Sequence, residues 1–396
     1  MTIRWEPSDP GTAVGVAKVL PLLRKAVVAA QDRPELKLQL ARVLFASDQT
    51  AELIDLLKPS LTDDDAPPEL LYWLGRAAMA RGNDQLALVA LRSAAAKGMA
   101  NAFDFVAKAL ARLGREDEAL DAGLEALKRL RLKSLRIVAA ALCNRGETER
   151  LWHLCVDLRS RGGQGQLLSA VMASAAAMLA YATELEKLMD RSKWFFFGRL
   201  PVPEDFNRNL AAEILAERSA RSLTGVATRG AGSRIDHFER VAGPHAQNLM
   251  GRIRAAVDSY IAERESFSSD PIMADRPAVV TLNSWALAMH EDGHTAWHIH
   301  PRGWISGVYY IDMPELKPAA ADPPGAVEFG PFPFGGNTEA LKSHCWHVMP
   351  EPGVLLLFPS YYAHRTIPTG VAAPRICVAF DVQPARAGSI AAAQQD

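Results

Sequence analysis

The sequence predicts a multidomain α + β chain: an N-terminal α-helical superhelix of repeats, then a β domain, a sandwich or jelly roll, with flanking helices. Three observations predict it. Turn glycines recur in the first half at Gly82, Gly114 and Gly146, each 32 residues after the last. The composition then changes at the aromatic- and proline-marked stretch 193–203. From residue 278 the pattern becomes short β-type runs punctuated by Pro and Gly, with no helices between them. At 396 residues the chain is long for one domain, and the boundary is expected near residue 195, giving domains 1–195 and 196–390.

In the first half, three stretches share one order of parts: GRAAMARGNDQLALVALRSAAAKG from Gly75, AKALARLGREDEALDAGLEALKR from Ala107 and VAAALCNRGETERLWHLCVDLRSRG from Val138. Each holds a helix, a glycine turn and an acidic start to a second helix. A weaker copy, ARVLFASDQTAELIDLLKPSL, is expected to turn at Ser47. Helix pairs repeating at about 34 residues resemble tetratricopeptide-like arrays. The third stretch resembles that family well, and the others are degenerate. Such a pair cannot bury its apolar face alone, so stacking is required. The resemblance implies a surface for peptides or partner proteins; bracing of the second domain, or dimerisation, is the alternative.

The bulk numbers exclude several classes. With 44 basic and 45 acidic residues the net charge is −1, so no nucleic-acid or anionic-membrane partner is indicated. The residues 1–15 hold two prolines and two acidic groups and no apolar run, unlike a secretory signal. The most apolar stretch, 167–180, has 14 residues against the roughly 20 that a membrane span needs, so a buried helix is expected. Four scattered cysteines, Cys143, Cys155, Cys345 and Cys377, form no CxxC pair and suit a reducing cytoplasm.

In the second half, helices are expected from Asp205 and from Pro244, then strands in VVTLNSWALAM, WISGVYYI, AVEFG, GVLLLF and ICVAFDV. Of ten histidines, seven fall within the 75 residues from His290 to His364, where an even spread would put about two. Imidazole ligates Fe, Zn and Cu, so the clustering asks for a metal. In His298-Ile299-His300-Pro301 the two imidazoles point to one side if the segment is extended; on a helix they would diverge. His364 follows a strongly apolar strand, where a turn can bring it back to the mouth of a jelly roll. Arg375 stands 11 residues beyond, at the start of an apolar strand. Its guanidinium suits a cosubstrate carboxylate, and an internal carboxylate such as Asp381 is the alternative partner.

The run WHIHPRGWISGVYYIDMP, followed by PEPGVLLLFPSYYAHRTIP and PRICVAFDV, resembles the 2OG-Fe(II) oxygenase family related to the prolyl 4-hydroxylase-like enzymes. The likeness covers roughly residues 278 to 384. It implies a double-stranded β-helix enzyme that uses Fe(II), 2-oxoglutarate and O2 to hydroxylate a C–H bond of a peptide or protein side chain or of a small metabolite. It implies His298 and His364 as metal ligands, Arg375 as the clamp on the far carboxylate of 2-oxoglutarate, and Tyr310 as a second contact to that carboxylate, with Tyr309 facing the core. One position departs. The broader superfamily carries Asp or Glu where His300 stands, so His300 is the expected third ligand in an all-histidine set. Glu291, Asp292 and Asp312 are nearby carboxylates without that spacing.

The remaining histidines read as ordinary. His344 and His347 are expected in core or surface positions, and His290 and His294 in a solvated loop leading to the metal segment. HEDGH is not the HExxH of zinc proteases. Arg302 and Trp304 are open between lining the pocket and packing. RGAGSR, at 229–234, follows no apolar strand and reads as a turn or mobile loop. No GxSxG elbow or GxxxxGK[ST] loop competes. The alternative from another class is a non-catalytic interaction protein whose jelly-roll site is vestigial or zinc-filled; a cupin-like metal enzyme is a third.

Overall fold

The computed structural model describes residues 3–7, 13–30, 32–223, 227–267, 270–316 and 322–385. The predicted domain end at 390 and part of the N-terminal segment 1–15 lie outside them. The chain forms two compact units: Asp9–Gly163, and Met1–Ser8 together with the chain from Gln164 onward.

The first unit is all helix: α1 (Ala13–Ala29), α2 (Pro34–Ala46), α3 (Thr50–Leu57), α4 (Pro68–Ala80), α5 (Asp84–Ala96), α6 (Ala102–Arg112), α7 (Glu116–Lys128), α8 (Leu135–Asn144) and α9 (Thr148–Ser160). One closure repeats after α2, α4, α6 and α8. At α4 the Gly82 N–H donates to Met79 O and the Asn83 N–H to Ala78 O, at 3.1 and 2.9 Å. That double bond pattern needs a left-handed residue, and Gly82, Gly114 and Gly146 supply φ of +75°, +72° and +73°. The weak copy turns at Asp48 (φ +57°), one residue beyond the expected Ser47, which instead caps α2 through Oγ to Val43 O at 2.8 Å. A second series closes α5, α7 and α9 at Gly98, Leu130 and Gly162, all with positive φ. Its spacing is again 32, but the leucine in the middle place hides it from the eye. Gly75 lets α5 come close: a Cβ there would stand 2.5 Å from Leu91 Cγ. Asp104, buried, receives the Ser134 N–H and hydroxyl at the start of α8 (2.9 and 2.7 Å) and pairs with Arg131.

The second unit holds helices α10 (Gln166–Met178), α11 (Ala182–Met189), α12 (Arg191–Trp194), α13 (Phe206–Ala216), α14 (Pro244–Ala262), α15 (Pro271–Ala274) and α16 (Glu339–Lys342). Its strands are β1 (Arg4–Glu6), β2 (Phe196–Arg199), β3 (Arg221–Ser222), β4 (Thr228–Arg229), β5 (Gly232–Asp236), β6 (Val279–Met289), β7 (His294–Thr295), β8 (Ile305–Asp312), β9 (Val327–Gly330), β10 (Trp346–Val348), β11 (Val354–Pro359), β12 (Ala363–Thr366) and β13 (Arg375–Pro384). The units divide at Gly163/Gln164, about thirty residues before the boundary expected near 195. The apolar stretch 167–180 is α10, a buried helix as expected, but its partners lie in the β unit: Ser174 Oγ donates to Phe332 O at 2.8 Å. Tyr361 and Tyr362 donate to Leu188 O and Asp190 O, and Tyr260 donates to Trp194 O. The first residues also belong here. β1 lies parallel to β6, with Arg4 beside Val279, and Trp5 Nε1 donates to Asp258 on α14 at 3.1 Å. Among the described residues no helix is long and apolar enough to cross a membrane.

The large sheet runs β2-β11-β8-β13-β6-β5-β3, with β1 added on β6; a small sheet runs β10-β9-β12, and β4 pairs with β7. This is the double-stranded β-helix. All five expected strands are present as β6, β8, β9, β11 and β13, and the expected helices are α13 and α14. RGAGSR is not a free loop but the tight turn joining β4 to β5, with Gly230 and Gly232 at positive φ. β5 then pairs with β6.

Candidate functional site

Pairing register decides which side chains enter the cavity. Along β13, Arg375, Cys377, Ala379 and Asp381 alternate onto one face. Their neighbours on β6 are Met289, Leu287, Trp285 and Asn283, and Tyr310, Val308 and Ser306 on β8 oppose the last three. The small sheet answers with His364 beside Phe329 and Thr366 beside Val327. These two faces enclose one cavity lined by His298, His300, His364, Tyr310 and Arg375, with Trp285, Leu287, Phe329 and Phe358 as apolar wall.

His298 and His364 are cross-strand neighbours that exchange both backbone bonds at 3.1 Å. The HxHP segment is extended but holds only this single bridge, so the expected strand is one rung long. His300 is fixed by its own N–H, which donates to Ser360 O at 2.9 Å. Nitrogens of the three rings lie within 4.8 Å of one another, with His300 Nε2 3.4 Å from His364 Nε2.

Each ring's Nδ1 faces an acceptor. His298 Nδ1 lies 2.7 Å from Ala296 O, His364 Nδ1 3.1 Å from Tyr362 O, and His300 Nδ1 3.0 Å from Asp381 Oδ1. A proton on every Nδ1 leaves every Nε2 with a free lone pair, the tautomer a metal ligand needs. Burial, and next the neighbouring imidazoles, keep the His298 and His364 rings uncharged: His298 is pushed down to about 3 and His364 well below the ordinary histidine value. Three imidazole nitrogens converging within an apolar wall fit a single Fe(II) ion.

Arg375 is 1% exposed. Its Nη1 donates to Gly325 O at 3.2 Å, Nη2 lies 3.9 Å from Met289 Sδ, and Nε has no partner. Among the described residues no carboxylate pairs with it. A buried guanidinium without a counter-charge is costly, and the cavity it lines is where an anion relieves that cost. The residues present therefore also fit a dicarboxylate cosubstrate. Tyr310 lines the same cavity, its phenol pushed far above the usual value by burial, while Tyr309 turns to the other face and donates to Asn207 Oδ1 at 2.7 Å.

The structure thus brings together His298, His300, His364, Tyr310 and Arg375, all five residues singled out in the sequence. It keeps out His290 and His294, which flank a turn at Glu291 (φ +52°), and His347, which stands 3.8 Å from Glu328 on the outer face of the small sheet. Arg302 and Trp304 do not line the cavity; Trp304 is buried and donates to Ile272 O. Asp381, the alternative partner for Arg375, is instead the partner of His300, because six residues along β13 separate the two by about 20 Å. Sequence reading missed Asp381 in that place, and Trp285, whose ring stacks on His300 at 5.6 Å. The even spacing 375, 377, 379, 381 is the signal that would have found the first.

The jelly roll thus gathers three histidines at one point and, in the same cavity, an arginine with no carboxylate partner among the described residues. Residues 283–381 match the family model described as "Putative 2OG-Fe(II) oxygenase". Similar solved structures include a Pseudomonas putida prolyl-4-hydroxylase, 13% identical, covering 54% of this chain and 100% of that one, with a TM-score of 0.35. MamA is 19% identical over 40% of this chain and 98% of its own, at 0.34. A Trichoplax adhaerens prolyl hydroxylase, solved with a hypoxia inducible factor oxygen degradation domain peptide fragment, is 13% identical over 52% and 90%, at 0.35. No curated protein matches the chain.

Proposed function

We propose that the second unit is an Fe(II)- and 2-oxoglutarate-dependent dioxygenase, a hydroxylase acting on a C–H bond of a peptide or protein side chain or of a small metabolite. The observation that carries this reading is Arg375, a buried cation with no counter-charge among the described residues, in the cavity of the three histidines. A structural metal alone has no need of it. Bound Fe(II) would supply the activation of O2, with 2-oxoglutarate giving up CO2 to leave succinate.

His298, His300 and His364 would hold the ion through Nε2, their rings fixed by the acceptors on Nδ1. Arg375 would pair with the far carboxylate of 2-oxoglutarate and Tyr310 would donate its hydroxyl to it. Leu287, Phe329 and Phe358 exclude water from the reacting centre. The repeat unit is the reason a peptide or protein side chain stands first among substrates, and a protein partner is its proposed ligand. All four cysteines are free, which supports a reducing, cytoplasmic setting.

The test is anaerobic titration of the full chain with Fe(II) and 2-oxoglutarate, read by the visible charge-transfer band of the chelate. His298→Ala and His364→Ala are expected to abolish it. Arg375→Leu removes a charge-assisted contact of about 2–5 kcal/mol, roughly 30- to several-thousand-fold in 2-oxoglutarate affinity, and leaves metal binding intact. Lower thermal stability with unchanged 2-oxoglutarate affinity would overturn the proposal.

A further inference from the structure

We infer that Asp381 is a positioning residue for the metal, acting through His300, and that it returns to the site the negative charge lost when histidine stands in the place of a ligating carboxylate. The inference rests on the oxygenase reading above. Of the three rings, only His300 has a charged acceptor: both Asp381 oxygens lie within 3.0–3.2 Å of its Nδ1. The other two rings use backbone carbonyls.

Asp381 is 5% exposed. Among the described residues its hydrogen-bond partners are His300 and Ser306, whose hydroxyl donates to Oδ1 at 2.7 Å and meets Ser360 Oγ at 2.8 Å. No lysine or arginine of the described chain forms an ion pair with it. A carboxylate this deep is favoured by positive charge close by; Arg234, lying over the Trp285 ring, acts on it through space, and an ion beyond the His300 ring, where the Nε2 atoms converge, would act on it through the imidazole. The surroundings are shaped for the contact. Gly303 leaves room that a side chain would close, since a Cβ there would stand 2.3 Å from Ser360 Oγ and 3.3 Å from Asp381 Cγ. Trp285 stacks on His300 at an interplanar angle of 19° and fixes the ring plane. A carboxylate on the outer nitrogen makes the inner one a stronger donor. The charge is thus delivered to the ion through the imidazole rather than by direct ligation.

The probe is Co(II) added to the metal-free full chain, read by its visible d–d absorption and by calorimetry. Asp381→Asn keeps the volume and an acceptor oxygen but removes the charge; Asp381→Leu removes both. Asp381→Asn is expected to weaken Co(II) binding about 10-fold and to shift the d–d bands, and Asp381→Leu to weaken it toward 100-fold. In a His300→Ala background Asp381→Asn is expected to change Co(II) affinity by less than about 2-fold, because the path to the metal is gone. A residue that only holds the fold would lower the melting temperature of the metal-free protein without moving the bands. Wild-type affinity and spectrum in Asp381→Asn overturn the inference, as does an equal loss with or without His300. A wild-type chain that takes up no Co(II) overturns the oxygenase reading and this inference together.

Discussion

His298, His300 and His364 share one cavity but differ in what holds the outer nitrogen, and that difference separates what a motif can carry from what it cannot. HxHP and the distal histidine are local words, so their meeting was legible before the fold. The Nδ1 acceptors were not, because Ala296 O and Tyr362 O belong to the backbone and Asp381 lies 81 residues from His300. Arg375 was legible as a residue but not in its isolation, since only the register shows that Asp381 points to the other end of the strand. Tyr310 is the remaining test at this scale. Its phenol stays protonated and donates no hydrogen bond to a described residue, so it is free to donate to a carboxylate. Tyr310→Phe is expected to raise the 2-oxoglutarate dissociation constant about 5- to 10-fold, the worth of one hydrogen bond of about 1 kcal/mol, with Co(II) affinity unchanged. Equal 2-oxoglutarate affinity in the two proteins would reduce Tyr310 to packing.

Elements with strong periodicity were legible, and those defined by pairing alone were not. β6, β8, β11 and β13 announce themselves as apolar runs, whereas β2, β7, β10 and β12 have two to four residues each and exist only through their partners. The repeat closures follow the same logic: three glycines showed one series, but Leu130 concealed the other. Leu130 holds φ +55° and is 38% exposed, so its side chain contributes little while its backbone is strained. Leu130→Gly is expected to stabilise the repeat unit by about 1 kcal/mol, read as a higher urea midpoint; a lower midpoint would show that the leucine's packing outweighs its strain. α14 offers a test that depends on pH. Pro244 opens it, and the free N–H groups of His245 and Ala246 donate to Glu213 at 3.1 and 3.0 Å, while His245 Nδ1 lies 2.6 Å from the same carboxylate. Burial pushes the Glu213 carboxyl up, but these hydrogen bonds outweigh it and hold the group below the ordinary glutamate value. A lowered folded value means stability that is fully present above the ordinary carboxylate range and lost as pH falls through the folded value. Glu213→Gln is expected to cost roughly 1–2 kcal/mol at neutral pH and much less in acid. A cost that stays constant down to low pH would mean that the charge is not what caps the helix.

At the scale of the whole molecule, the change of composition near residue 195 was a true signal read at the wrong place. The stretch 193–203 marks where the chain first enters the sheet, as β2, but α10, α11 and α12 before it already belong to the same unit. Helical periodicity cannot say which core a helix joins; Ser174 on Phe332 O and the three tyrosines on the carbonyls of Leu188, Asp190 and Trp194 can. β1 is the mirror case, a strand that opens the sequence and pairs with β6 some 270 residues later. This division has a consequence for fragments. One that spans 9–163 keeps every repeat closure from Asp48 to Gly162 and is expected to melt as one cooperative helical transition by circular dichroism, since stacked repeats are stabilised by their neighbours. One that continues to Arg191 adds α10, in which nine of thirteen residues are buried in the intact chain. With its partners absent, that apolar surface is exposed, so the longer fragment is expected to bind a hydrophobic dye and self-associate. The complementary loss is expected when residues 1–8 are removed from the full chain: the β unit forfeits the β1 rung and the Trp5–Asp258 bond and melts earlier, while the repeat transition stays where it was. If instead the 9–163 fragment melts without cooperativity and the fragment to Arg191 restores it, α10 is part of the repeat core and the division at Gly163 is wrong.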